Sequence, residues 1–103
     1  MNTIIENKRA ELGEICKKRG VLSLALFGSA ANGDFTQGES DIDFLVEFKP
    51  STPAEHAENY FSLQEDLERL FGLHVDLVEL APIRNPYFKQ AVEETKVVLY
   101  DAA

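Results

Sequence analysis

Apolar side chains recur every three to four residues in two parts of the chain, which is the spacing of amphipathic helices. The first helix is predicted to start with a capping box at residues 3–6 and to end at Gly20. The second is predicted to start with a capping box at residues 52–55 and to end at Gly72. The predicted apolar stripe of the second helix comprises Ala57, Tyr60, Phe61, Leu67, Leu70 and Phe71. Both helices should therefore cover a core with one face.

Short, continuous apolar runs outside these helices predict strands. We predict strands at residues 21–27, 41–48 and 74–80, and a terminal edge strand at residues 97–100. Asn85 and Pro86 predict the start of a last helix that reaches about Thr95, with Asn as the cap and Pro as the first helical residue. The pattern thus favours a sheet covered by helices.

The composition limits the class of protein. The chain has 103 residues, 45% of them hydrophobic and 27% charged, which predicts one domain spanning residues 1–103. No apolar run is long enough to cross a membrane and the N-terminus is too polar for a secretory signal, so we expect a cytoplasmic protein. The formal net charge of −8 makes free nucleic acid an unfavourable direct partner. The one cysteine, Cys16, is expected to be a small core residue.

The first predicted strand ends at Gly28 and Ser29, a pair that allows a tight turn and a close approach of the backbone to a ligand. If a helical turn follows, its free N–H groups favour an anion such as a phosphate group. A Gly-Ser pair after a strand is more often a simple turn, so the pair by itself predicts little.

Asp41 and Asp43 lie two residues apart at the start of the second predicted strand, so both side chains project to the same face, about 7 Å apart. Two such carboxylates can hold a hard divalent cation, or share two ions about 3.5–4 Å apart. The opposite face of this strand carries Ile42, Phe44, Val46 and Phe48, which should pack on the core. A calcium loop of the EF-hand type is excluded, because its last ligand position would be Leu45.

Taken together, Gly28-Ser29, Gly33 and Ser40-Asp41-Ile42-Asp43 before an apolar strand resemble the signature of the DNA polymerase β-type nucleotidyltransferase superfamily. More closely, they resemble its minimal single-domain members, the MntA-type antitoxins of HEPN/MNT toxin–antitoxin pairs. The resemblance implies an α+β (α/β-like) fold with a small mixed sheet covered by helices. It also implies ATP as the substrate, two Mg²⁺ ions, and nucleotide binding by Gly28, Ser29 and Ser40.

Asp76 is a carboxylate among aliphatic residues in the third predicted strand, where burial would be costly unless the charge is paired. In the family pattern a third acid on a neighbouring strand completes the metal site and helps to deprotonate the attacking hydroxyl. The resemblance therefore implies Asp41, Asp43 and Asp76 as catalytic residues and metal ligands. Glu79 is the competing candidate, but strand alternation places it on the opposite face.

The implied activity is transfer of a nucleoside monophosphate, AMP by resemblance, to a hydroxyl group of a partner. That hydroxyl would belong to a tyrosine of a cognate HEPN toxin, with which the chain would form a hetero-oligomer; a homo-oligomer is also possible. Two positions that commonly hold arginine in such proteins are Ala30 and Asn32 here. An alternative is therefore an antitoxin that is catalytically weak and neutralises its partner by binding alone.

Overall fold

The structure is a computed structural model that describes residues 3–27, 42–79 and 96–102, together with residues 86, 87, 90 and 94. Its elements in chain order are α1 (Thr3–Asn7), α2 (Arg9–Lys18), β1 (Val21–Phe27), β2 (Ile42–Phe48), α3 (Pro53–Phe71), β3 (Val75–Glu79) and β4 (Val97–Asp101). Residues 86, 87, 90 and 94 are helical, in agreement with the last predicted helix. The four strands were all predicted, to within one residue at each described end.

The strands form a mixed sheet in the order β3-β2-β1-β4. β1 pairs antiparallel with β2 on one side and with β4 on the other, whereas β2 and β3 run parallel. A parallel pair needs a crossover connection, and α3 supplies it between β2 and β3. The predicted α+β fold with a small mixed sheet is therefore confirmed.

The core lies between one face of the sheet and the helices. Its fully buried members include Ile5, Leu12, Cys16, Leu24, Leu26, Ile42, Phe44, Val46, Leu63, Leu67 and Val75. Phe44 of β2 contacts Phe71 of α3 with the ring centroids 5.9 Å apart. The predicted core face of β2 is thereby confirmed for Ile42, Phe44 and Val46, and Phe48 is partly buried beside it.

The N-terminal helix differs from the prediction of a single element. It is divided at Lys8, whose N–H donates to the Ile5 carbonyl at 3.2 Å, three residues earlier. Such a bond tightens the turn and interrupts the regular helical ladder. The Glu6 carboxylate contacts the Arg9 guanidinium at 3.2 Å.

The predicted stripe of α3 is wrong at two positions. Phe61 is 62% exposed and Ala57 is also exposed, whereas Leu63, which the prediction omitted, is fully buried. The reason is helical geometry, because two residues correspond to a rotation of about 200°, so Phe61 and Leu63 project to opposite sides. The ends of α3 are as predicted: the Thr52 hydroxyl accepts the Glu55 N–H, and Gly72 closes the helix with φ of 68°.

Candidate active site

Two of the acids singled out by the sequence lie side by side in the sheet. Asp43 of β2 is in register with Asp76 of β3 in the parallel ladder. Neighbouring strands are about 4.8 Å apart, and residues in register project to the same face. Two residues that are 33 positions apart in the sequence therefore present their carboxylates together.

These carboxylates project away from the helices. Their neighbours in sequence, Ile42, Phe44, Val75 and Leu77, all belong to the helix-side core. Strand alternation then places Asp43 and Asp76 on the other face, with Leu45 and Val78 beside them in a small second cluster. Asp43 is half-buried, and half of the Asp76 side chain is exposed.

The strand β1 ends beside this acidic pair. Phe27, the last residue of β1, is in register with Asp43 on the other side of β2. Gly28 follows Phe27 directly in the chain. The chain thus leaves β1 for the predicted Gly28-Ser29 turn at the same level as the acidic pair.

The outer edge of β3 is held by three side chains of α3, Tyr60, Gln64 and Glu68, which we call the α3 clamp. The Tyr60 hydroxyl donates to the Leu77 carbonyl at 2.7 Å, and Gln64 Nε2 donates to the Val75 carbonyl at 3.0 Å. Glu68 Oε2 accepts the Val75 N–H at 3.1 Å.

The members of the α3 clamp are four residues apart, so they lie on one side of the helix. They satisfy backbone groups that would otherwise be unpaired on an edge strand. Burial, and then the charges of Glu79 and Asp76, raise the pKa of Tyr60, which keeps its hydroxyl protonated as the donor.

His74 lies beside Asp76 and was not singled out by the sequence analysis. Its Nε2 is 3.1 Å from Asp76 Oδ1, and its Nδ1 is 3.0 Å from Glu68 Oε2. Because His74 and Asp76 are two residues apart at the start of one strand, the sequence could have indicated that they share a face. The contact with Glu68 could not be predicted, since it depends on how α3 packs against β3.

Glu79, the competing acid, lies on the helix side of the sheet. Its Oε1 is 2.5 Å from Nε2 of His56, which comes from the first turn of α3. The His56 ring also packs edge-on against Phe48, with the centroids 5.1 Å apart. His56 is thus partly covered by contacts, and 43% of its side chain is exposed.

The other predicted site residues, Gly28, Ser29, Ser40 and Asp41, lie outside the described residues. Of the three predicted acids, the structure describes Asp43 and Asp76 and brings them together. The expected burial of Asp76 was wrong, because half of its side chain is exposed and does not carry the desolvation cost that a buried strand predicts. What distinguishes Asp76 is its register with Asp43.

The pair of Asp43 and Asp76 has the donor chemistry that a hard divalent cation requires, since both groups offer carboxylate oxygens. Asp76 Oδ1 contacts His74, and its Oδ2 has no partner among the residues that the structure describes. Within that part of the chain, no group of three or more His, Cys, Asp or Glu is placed to hold a metal ion. The residues fit a magnesium site for which Asp41 would supply the third carboxylate.

No described helix has the length and apolar character to span a membrane.

Comparison with known proteins bears on this acidic pair. The family model of the nucleotidyltransferase domain matches residues 9–99, which include β1, β2, α3 and β3. This chain belongs to the nucleotidyltransferase domain family. It is a minimal nucleotidyltransferase of the polymerase β-like superfamily, as its motifs predicted. Asp43 and Asp76, which are in register on neighbouring strands, both lie within the matched range.

Two curated relatives are similar over most of their length. A Methanocaldococcus jannaschii protein, provisionally identified as a protein adenylyltransferase, is 48% identical over 77 residues, covering 75% of each chain. The protein adenylyltransferase MntA of Thermococcus cleftensis is 33% identical over 87 residues, covering 82% of each chain.

Solved structures have the same fold. A protein provisionally identified as a minimal nucleotidyltransferase is 29% identical, with a TM-score of 0.71 over 90% of each chain. A toxin–antitoxin structure with AMP-PNP is 21% identical, with a TM-score of 0.70 over 91% of this chain and 73% of the other. The minimal nucleotidyltransferase fold is therefore shown by both sequence and structure.

Proposed function

We propose that this minimal nucleotidyltransferase is a Mg²⁺-dependent protein adenylyltransferase that modifies and silences a partner toxin, and so acts as an antitoxin. The observation that carries the proposal is the register of Asp43 with Asp76 on the face of the sheet opposite α2 and α3. The relative from Thermococcus cleftensis is named as a protein adenylyltransferase, and one solved protein of this fold is a toxin–antitoxin structure with AMP-PNP.

In the proposed reaction, a hydroxyl oxygen of the acceptor forms a bond to the α-phosphorus of ATP, and the bond from that phosphorus to pyrophosphate breaks. Asp76 accepts the proton of the attacking hydroxyl, and pyrophosphate is the leaving group. Asp41, Asp43 and Asp76 would hold the two Mg²⁺ ions. When bound, these ions neutralise the charge that develops on the attacking and leaving oxygens.

The phosphates would be bound on the side where β1 ends. Gly28 and Ser29 would hold the β- and γ-phosphates through backbone N–H groups, and Ser40 would contribute a hydroxyl next to Asp41. Supporting this assignment, Phe27, the residue before Gly28, is in register with Asp43. Such chemistry depends mainly on positioning and charge neutralisation, so a chain of 103 residues can supply the necessary groups.

The proposed acceptor is a tyrosine hydroxyl of a HEPN-type toxin, and the place of action is the cytoplasm, where ATP is supplied. The formal net charge of −8 favours a protein acceptor over free nucleic acid, because phosphate backbones are bound by clustered Lys and Arg. Residues 1–103 would act as one nucleotidyltransferase domain whose acceptor surface is provided by the partner.

The test is the mass of the cognate toxin after incubation with this protein, ATP and Mg²⁺. We expect an increase of one or more AMP units, located on a tyrosine by peptide mapping. Omission of Mg²⁺, or the substitution Asp43→Asn, should remove the increase, and Glu79→Gln on the helix side should retain it. An unmodified toxin that is nevertheless neutralised equally by the wild type and by Asp43→Asn would show inhibition by binding alone.

A further inference from the structure

His74 joins the acidic pair to a fixed point on α3. One ring nitrogen contacts Asp76 Oδ1 at 3.1 Å and the other contacts Glu68 Oε2 at 3.0 Å. Glu68 is itself anchored, because the same oxygen accepts the Val75 N–H at 3.1 Å. The imidazole therefore links the Asp76 carboxylate to Glu68, a member of the α3 clamp that is held by the Val75 N–H.

A half-exposed aspartate has a broad energy profile for rotation of its carboxylate, because its last torsion joins sp³ and sp² carbons. A partner on one oxygen restricts that rotation. His74 contacts Oδ1, and Oδ2 has no partner in residues 3–27, 42–79 or 96–102. The arrangement holds the group by one oxygen and leaves the other available on the face shared with Asp43.

We infer that His74 is a positioning residue that orients Asp76 for metal binding, with Glu68 as its anchor; this inference rests on the proposed function. Carboxylates that ligate metal ions are themselves hydrogen-bonded, and loss of such an outer partner typically lowers metal affinity or activity by about 10- to 100-fold. Neither nucleotide nor acceptor would contact His74 directly.

Stability alone gives little reason for the contact. The side chains of His74 and Asp76 are 56% and 50% exposed, and ion pairs at such sites contribute little to folding. Substitution of His74 should therefore leave the thermal midpoint nearly unchanged, which separates a positioning role from a structural one.

The chain offers a matched control. It has two histidines, and each contacts a carboxylate of β3 through Nε2. His56 contacts Glu79, and its side chain is 43% exposed, but that pair lies on the helix side of the sheet. His56→Ala thus removes a comparable contact without touching the acidic pair.

The first measurement is Mn²⁺ binding by the full chain without nucleotide, followed by electron paramagnetic resonance at a fixed neutral pH. Wild type, Asp43→Asn, His74→Ala, His74→Gln and His56→Ala are compared. We expect His74→Ala to bind Mn²⁺ about tenfold more weakly and His56→Ala to bind as the wild type does. His74→Gln should recover part of the loss, because its side-chain amide can donate to Asp76 Oδ1.

The second measurement is AMP transfer at saturating Mg²⁺ with varied ATP. His74→Ala should lower kcat and leave the KM for ATP unchanged, since the ring is not proposed to touch the nucleotide. If His74→Ala does not fold, the Mn²⁺ affinity and kcat of His74→Gln are compared with those of the wild type instead.

The results separate the two proposals. A wild type that transfers AMP and an Asp43→Asn variant that does not, together with wild-type Mn²⁺ binding by His74→Ala, would overturn only the role of His74. Tighter Mn²⁺ binding by His74→Ala, or an equal loss in His56→Ala, would also overturn it. A wild type without transfer, whose Mn²⁺ binding is unaffected by Asp43→Asn, would overturn the proposed function itself.

Discussion

On β2, Ile42, Phe44 and Val46 are fully buried against the helices, whereas Asp43 and Leu45 face the other side of the sheet. Among the residues that the structure describes, the core on the helix side comprises fifteen buried residues, and the opposite face has a small cluster built on Ala25 and Leu45. One strand thus contributes to stability through alternate residues and to the candidate site through the residues between them.

The two histidine–carboxylate pairs show the same difference. His56 and Glu79 meet on the helix side, next to Phe48, where the contact adds to packing. His74 and Asp76 meet on the opposite face, next to Asp43. Similar chemistry on one strand therefore has different surroundings, because the two pairs lie on opposite faces of the sheet.

The largest expected loss of stability follows from removing an aromatic side chain on the helix side of the sheet. Phe44→Ala should lower the free energy of unfolding by about 3–5 kcal/mol, because Phe44 is fully buried and contacts Phe71. Leu45→Ala, in the small cluster of the other face, should cost about 2 kcal/mol, at the lower end of such changes. Urea denaturation measures both. A greater loss for Leu45→Ala would contradict this division of the sheet.

Substitutions in the acidic pair should have the opposite result, with lower activity and unchanged stability. Asp43→Asn and Asp76→Asn should each reduce AMP transfer by at least ~100-fold. The reason is that removing even a hydrogen-bond partner of a metal ligand can lower activity by up to that factor. The thermal midpoint should not fall, because each change removes one of two like charges that lie in register. Transfer assays and thermal melts test this. A variant that loses stability and activity together would show a structural role for the carboxylate.

Alkaline pH should reveal how well the helix side excludes water. Burial raises the pKa of Cys16 from 9.0 to about 12. The folded thiol stays neutral while the unfolded one ionises above pH 9, so stability is lost as the pH rises from about 9 to 12. At pH 10 the loss should be about 1.4 kcal/mol. Urea midpoints at pH 7 and pH 10 should therefore differ more for the wild type than for Cys16→Ala, and an equal shift would contradict it.

The smallest expected effect on stability is at the outer edge of β3, which the α3 clamp holds. Tyr60→Phe removes the hydroxyl that donates to the Leu77 carbonyl, and should cost about 1 kcal/mol. Phe61→Tyr is the matched control, because Phe61 is 62% exposed and the change keeps its ring contact with Tyr60. Denaturant unfolding should show a loss for the first variant only. Equal values would mean that the α3 clamp does not stabilise this edge.

Much of the fold follows from local pattern. β1 was predicted to the residue at Val21–Phe27, and α3 begins and ends where its capping box and Gly72 indicate. Caps, glycines and alternation act within a few residues, so the sequence shows them directly. The division of the first helix at Lys8 and the exposure of Phe61 were missed, because both depend on which side of a helix finds a partner.

The sequence by itself determined the order of elements, the family, and the choice of Asp41, Asp43 and Asp76 as the acids to examine. Only the tertiary structure decided that Asp43 and Asp76 are in register, that Glu79 contacts His56, and that His74 links Asp76 to Glu68. The physical reason is the separation in sequence of the residues that each feature depends on. Alternation along a strand is local, whereas the register of two parallel strands is fixed by the crossover helix and by the core that this helix packs against.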